Sequence, residues 1–199
     1  SSRITGANII LNADADLQVT GIQQNNFRIN SPFNAGLELK MEDSDSGIFF
    51  RKGSLSVEGF RFNISGFISN DKFLDLNLSA VDIDLSKIRK YLPEKYSTSL
   101  SDYDLSGNLQ VNCQVTGSIS SITYPHLELS CKLSKGGIIY PATGMTIRNT
   151  SFTGFYSNGS FNRAETSFVT IKDIKAVFGS ADYSGHLTIR NFKTPVTEL

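Results

Sequence analysis

The sequence has no tryptophan, two cysteines, two histidines and no excess of charge of either sign. Each shortage excludes something. Cys113 and Cys131 are too few for a disulfide framework or a structural zinc site. His126 and His186 lie far apart in the chain, and neither has metal-like spacing around it. Nineteen basic residues balance nineteen acidic ones, so no global field recruits nucleic acid or an anionic membrane surface. No apolar run approaches the roughly 18 residues that a membrane helix needs. The chain opens on Ser1-Ser2-Arg3 with no signal-peptide core, and Pro195 to Leu199 follow directly on a strand-like run. We therefore expect a piece of a longer chain whose anchor lies elsewhere.

What is present is aromatic and alternating. Phe (14) and Tyr (7) are abundant. Apolar and polar residues alternate through Leu109-Gln-Val111-Asn-Cys113-Gln-Val115 and Leu127-Glu-Leu129-Ser-Cys131-Lys-Leu133. Leu74 to Leu78, Leu37 to Met41, Leu55 to Glu58 and Leu187 to Arg190 repeat the pattern. Period two places every second side chain on one face of a strand. Gly, Asn, Asp and Ser turn signals bound about eleven to thirteen such strands. A polar outer residue on nearly every strand predicts a mainly antiparallel sheet with one wet face. The fold class expected is all-β: an elongated, strongly curved sheet, either a β-groove or an open sandwich, with one short helix.

That helix is expected over 84–92. Asp84 can cap it, Leu85, Ile88 and Leu92 form an apolar stripe, and Pro93 stops it. About two turns cannot stand alone, so it must dock on an end or edge of the sheet, leaving Lys87 and Lys90 wet. Residues 1–83 and 97–199 then read as two stretches of one sheet, in a single domain spanning 1–199.

Sites for chemistry are sparse. Asp43-Ser-Asp45-Ser-Gly47 faintly resembles a calcium loop but lacks the further ligands and flanking helices; it and Asn12-Ala-Asp14-Ala-Asp16 read as solvated hairpin tips. Neither histidine sits beside a nucleophile elbow. Lys135-Gly-Gly137 lacks a strand–turn–helix setting for phosphate and reads as a turn. Lys87, Arg89, Lys90 and Lys95 read as a solvated helix face before a headgroup site. The Asn-x-Ser sequons at Asn63, Asn77, Asn149 and Asn158 are of the kind that arise by chance. No catalytic residue, cofactor or metal is expected. The candidate site is an apolar strip: Leu109, Val111, Cys113 and Val115 on one strand, Leu127, Leu129, Cys131 and Leu133 on the next. The registry expected pairs Val111 with Leu133, Cys113 with Cys131 and Val115 with Leu129. The cysteines then read either as a cross-strand bridge or as two buried free thiols.

From about residue 73 onward the chain resembles the AsmA-like family. The segments are Leu74-Asp-Leu-Asn-Leu-Ser-Ala80-Val-Asp-Ile-Asp84-Leu, Gly107-Asn-Leu-Gln-Val, Pro125-His-Leu-Glu-Leu and the corner Gly137-Ile-Ile-Tyr140-Pro141. The tail from Ala176 to Phe192 looks like the family's closing strands. The resemblance implies a periplasmic segment of a protein anchored in the inner membrane of a Gram-negative envelope. It implies a non-enzymatic role in phospholipid transport or outer-membrane homeostasis, with acyl chains as the partner of an apolar β-groove. The rival is a periplasmic or extracellular β-sandwich module for carbohydrate or a protein partner. Phe49, Phe50, Phe60, Phe62, Phe155 and Tyr156 would then form an exposed platform, although sugar platforms favour the missing tryptophan.

Overall fold

A computed structural model describes residues 9–19, 22–24, 27–29, 33–44, 46–57, 60–88, 98, 100–120 and 124–199. In chain order the strands are β1 (Ile9–Val19), β2 (Ile22–Gln24), β3 (Phe27–Ile29), β4 (Phe33–Ser44), β5 (Gly47–Val57), β6 (Phe60–Ser69) and β7 (Phe73–Asp84). A helix, α1 (Leu85–Ile88), precedes β8 (Asp104–Ser118), β9 (His126–Tyr140), β10 (Met145–Ser157), β11 (Phe168–Phe178), β12 (Ala181–Arg190) and β13 (Val196–Glu198). The architecture is all-β. Eleven strands form one antiparallel sheet in the order β1-β4-β5-β6-β7-β8-β9-β10-β11-β12-β13, and it does not close into a barrel. β2 and β3 pair as a separate two-stranded sheet.

Cross-strand partners in an antiparallel pair share a face, so the registers define the two faces directly. On one face Leu39 lies opposite Gly53, Gly53 opposite Ile64, Ile64 opposite Leu78 and Leu78 opposite Cys113. The row continues from Cys113 to Leu129, Tyr156, Val169 and Ile189. The opposite face carries Glu38, Ser54, Asn63, Asn77, Gln114, Glu128 and Ser157 in the same strand order. One face is apolar from β4 to β12.

A row of bulges bends this sheet. Register shifts occur in every pair from β7–β8 to β11–β12. At them Asp82 (φ 62°), Gly107 (φ 124°), Lys135 (φ 52°), Asn149 (φ 52°) and Asp173 (φ 53°) take left-handed backbone, one per strand. A bulge bends its strand and sharpens its twist. Bulges aligned across neighbouring strands fold the sheet about a line transverse to the strands. The sheet is strongly curved; we term its apolar face the trough face, and the strand ends with their loops its rims. Asn108 Nδ2 donates to Asp82 Oδ1 at 3.0 Å, and Thr153 Oγ1 donates to Asp173 Oδ2 at 3.4 Å; both tie the fold line.

The bulges also keep the apolar face continuous. On β9 the trough side carries odd-numbered Leu127 to Leu133 before the bulge, then Gly136 and Ile138 after it. Lys135-Gly-Gly137, expected as a turn, therefore lies inside β9 at the fold line. Asn12 to Asp16, expected as a hairpin tip, lies within β1, paired with β4. Ser44 pairs with Gly47 at the β4–β5 hairpin tip, while Asp45 of that tip lies outside the described residues.

α1 starts as expected. Ser86 N donates to Asp84 Oδ1 at 3.0 Å, and Ser86 Oγ donates to the same atom at 2.7 Å. Those bonds hold the Asp84 carboxyl below its ordinary range. The described helix is a single turn; Leu92, Lys90 and the rest of 89–97 lie outside the described residues. It packs on β7 and β8, which are interior strands, so it hangs over one rim rather than covering a sheet edge. Ile88 meets a small buried cluster of Phe60, Ala80 and Ile83, with Phe62, Leu109 and Val111 around it. Ile88 and Leu85 are half-buried and Lys87 is exposed.

Candidate functional site

All eight residues of the apolar strip fall on the trough face, but the registry differs from the expected one. Leu109 lies opposite Leu133, Val111 opposite Cys131, Cys113 opposite Leu129 and Val115 opposite Leu127. β8 has moved by two residues relative to β9, so Cys113 and Cys131 are not partners and both are free thiols. A two-residue slide leaves every side chain on its own face, so alternation alone cannot choose between the two registries. Each strand is also tied outside the pair. β8 is held from β7, with Ile119 N donating to Lys72 O at 3.1 Å. The start of β9 is held by Asn158, whose Oδ1 accepts from Leu127 N at 2.8 Å and whose Nδ2 donates to Pro125 O at 2.9 Å. Burial pushes both thiols above their ordinary pKa, which suits small apolar groups rather than nucleophiles.

The strip is only half-covered. Of the eight residues Leu133 alone is buried, at 6% exposure; the other seven are intermediate. Elsewhere among the described residues the buried hydrophobic side chains are Phe60, Leu74, Ala80 and Ile83. A closed sandwich interdigitates two inner faces and buries alternate residues along every strand. Here the inner face is roofed over a short stretch by α1 at one rim and by residues 158–167 at the other, and between them it stays open among the described residues. Nine neighbouring strands at about 4.8 Å spacing give about 38 Å of continuous apolar floor.

The rim opposite α1 is the better built. Asn158 N donates to Leu127 O, Arg163 N to Asn158 O, Asn191 N to Ser167 O and Phe192 N to Ala164 O, all between 2.7 and 3.2 Å. These bonds fold residues 158–167 over the ends of β9 to β12. The Phe192 ring packs on Tyr156 with centroids 5.8 Å apart. Beneath lies a cavity of about 410 Å³, whose lining includes Val115, Leu127, Tyr156, Phe192 and Arg163.

His126 fastens this rim to β9. Its Nδ1 lies 3.1 Å from Asn162 Oδ1 and its Nε2 3.3 Å from Glu128 Oε1. Asn162 Nδ2 in turn donates to Tyr124 O at 2.8 Å. Burial pushes the imidazole pKa down, but the bonds to Asn162 and Glu128 outweigh it and the net shift is upward from 6.5. A raised folded pKa means that the contribution is complete below the unfolded value and is lost as pH rises through the folded one. Thermal midpoints are therefore expected to fall from pH 6 to pH 8 by more in the wild type than in His126→Gln. Parallel profiles in the two proteins would show that His126 does not fasten the rim.

The remaining sequence candidates do not assemble. Among the described residues no group of three His, Cys, Asp or Glu side chains could hold a metal. Lys87 lies 3.8 Å from Asp84, while Arg89, Lys90 and Lys95 lie outside the described residues. The six aromatic residues of the platform idea divide between the faces. Phe50, Phe62 and Tyr156 register with the trough, Phe60 is buried, and Phe49 and Phe155 stack on Phe67 and Phe168 at 4.3 and 5.8 Å on the outer face. The rim at 158–167 is not legible in the sequence because its turns carry no apolar periodicity; Asn158-Gly159 is its one local turn signal. Among the described residues no helix is long and apolar enough to cross a membrane. No family model matches the chain, and neither does any curated protein or solved structure compared with it.

Proposed function

We propose that this chain is a non-enzymatic, periplasmic segment of a membrane-anchored envelope protein that carries phospholipid acyl chains along an apolar β-groove. One observation carries the reading: an apolar face that crosses nine strands and stays half-exposed among the described residues. Soluble monomers rarely expose contiguous apolar patches beyond a few hundred Å², so a face of this extent calls for an occupant. An acyl chain suits it. Half of a bilayer's hydrocarbon core is about 15 Å thick, well within the floor length. Each methylene moved from water onto the floor gains up to about 0.8 kcal/mol, so a long chain needs no specific polar contact. The headgroup can remain in water above a rim. The resemblance of residues 73–199 to AsmA-like proteins supports the same role and compartment.

Native mass spectrometry of protein purified without detergent tests this directly. The expected spectrum shows adducts with phospholipid masses, and solvent extraction returns the same lipids. A spectrum of bare protein, with no lipid extracted and none taken up from vesicles, would sink the proposal.

A further inference from the structure

Arg163 is the one charged residue at the rim cavity, whose lining is otherwise apolar apart from Asn158, Asn162 and Ser167. Its backbone is fixed unusually well for a loop. Arg163 N donates to Asn158 O at 3.1 Å, and Arg163 O accepts from Thr166 N, Ser167 N and Ser167 Oγ at 3.0, 3.0 and 2.8 Å. Two of the groups behind it, Ser157 and Ser167, are 3% exposed, so the turn is anchored from below. The side chain, by contrast, is exposed and makes no hydrogen bond or ion pair with another described residue. The nearby acid makes its contact elsewhere: Glu165 Oε1 pairs with Lys193 Nζ at 2.8 Å and feels the Arg163 charge only from a distance. A pinned backbone bearing a guanidinium with no hydrogen-bond or ion-pair contact to another described residue, at the edge of a largely apolar cavity, is complementary to an amphiphile with an anionic head. Arginine offers such a head planar, bidentate donors.

We infer that the 158–167 rim is a headgroup site, at which Arg163 pairs with the anionic head of an amphiphile whose acyl chain enters the trough past Val115, Leu127 and Tyr156. This rests on the lipid reading above and deepens it, by giving the trough an end with a preferred charge. A cavity of about 410 Å³ lies inside the range of about 300–1,000 Å³ usual for small-ligand pockets. It can take the head-proximal part of one chain, and the rest continues along the floor. The open rim leaves the outer side of the head in water, so Arg163 need not be desolvated fully to act.

Three single-chain probes separate the possibilities: lysophosphatidate with a phosphate head, oleate with a carboxylate, and uncharged monoolein. Binding is measured by calorimetry to the wild type, Arg163→Gln and Arg163→Lys, with circular dichroism as the check on folding. The wild type is expected to bind at least one anionic probe tenfold or more tighter than monoolein, and the two anionic arms tell phosphate from carboxylate selectivity. Arg163→Gln should lose that preference while its monoolein affinity stays unchanged, and Arg163→Lys should keep part of it. Equal affinity of the wild type for all three probes, or a preference that survives in Arg163→Gln, overturns the headgroup site and leaves the groove intact. Failure of all three probes to bind the wild type overturns the groove as well.

Discussion

Replacing Gly66 by alanine is expected to lower stability by about 3 kcal/mol or more, an effect at the large end for one methyl group. Gly66 sits in the middle of β6 with φ 132°, backbone that side-chain-bearing residues rarely adopt. An added Cβ would press into the carbonyl oxygen of Asp75 and lie 2.8 Å from Leu76 Cα. Both contacts are to the backbone of β7, so no rotamer change relieves them; the strands must separate or twist. Backbone strain of this kind costs about 1–3 kcal/mol before any clash is counted. The control is Gly185→Ala on β12, where nothing lies within 4 Å of the added atom. It should stay within about 0.5 kcal/mol of the wild type. Urea midpoints measure both. A Gly66→Ala protein as stable as the control would mean that β6 and β7 do not approach as described.

Alternation made much of this molecule legible. β7, β8 and β9 could be placed from Leu74, Leu109 and Leu127 onward because large aliphatic residues at period two leave little choice of face. The cap at Asp84 could be read because a carboxylate before an apolar turn is a local signal that needs no tertiary partner. The registry of β8 on β9 could not. Shifting Cys113 from Cys131 to Leu129 changes no residue's face, so alternation carries no information on it, and the contacts that tie the two strand ends come from Lys72 and Asn158, far away in sequence. The fold line was hidden for a related reason. Lys135-Gly-Gly137 carries glycine, which marks turns and bulges alike, and only alignment with Asp82, Asn149 and Asp173 on neighbouring strands shows which applies. Asn12 to Asp16 reads as a tip rather than a strand because its alternate residues are alanines, which add little to a hydrophobic pattern. Arg163 carries no sequence signal of its own; that Glu165 makes its ion pair with Lys193 is visible only in the fold.

The strip of eight residues was legible as a face but not as a surface. The same alternation describes a sandwich core and an open groove, and burial distinguishes them. Leu109, Val111, Cys113, Val115, Leu127, Leu129 and Cys131 are all intermediate in exposure, which a two-layer core would not allow for so many neighbours.

The most direct test of the groove places a photoreactive phenylalanine analogue singly along β8 and β9 and irradiates the protein with phospholipid present. Three substitutions replace trough residues Cys113, Leu129 and Cys131; three replace their outer-face neighbours Asn112, Gln114 and Ser130. The outer-face residues are the more exposed of the two sets, so random collision in water would favour adducts there. The account predicts the reverse: lipid adducts at 113, 129 and 131, with at most background at 112, 114 and 130. Adducts on the outer face, in equal yield on both faces, or on neither, would contradict it.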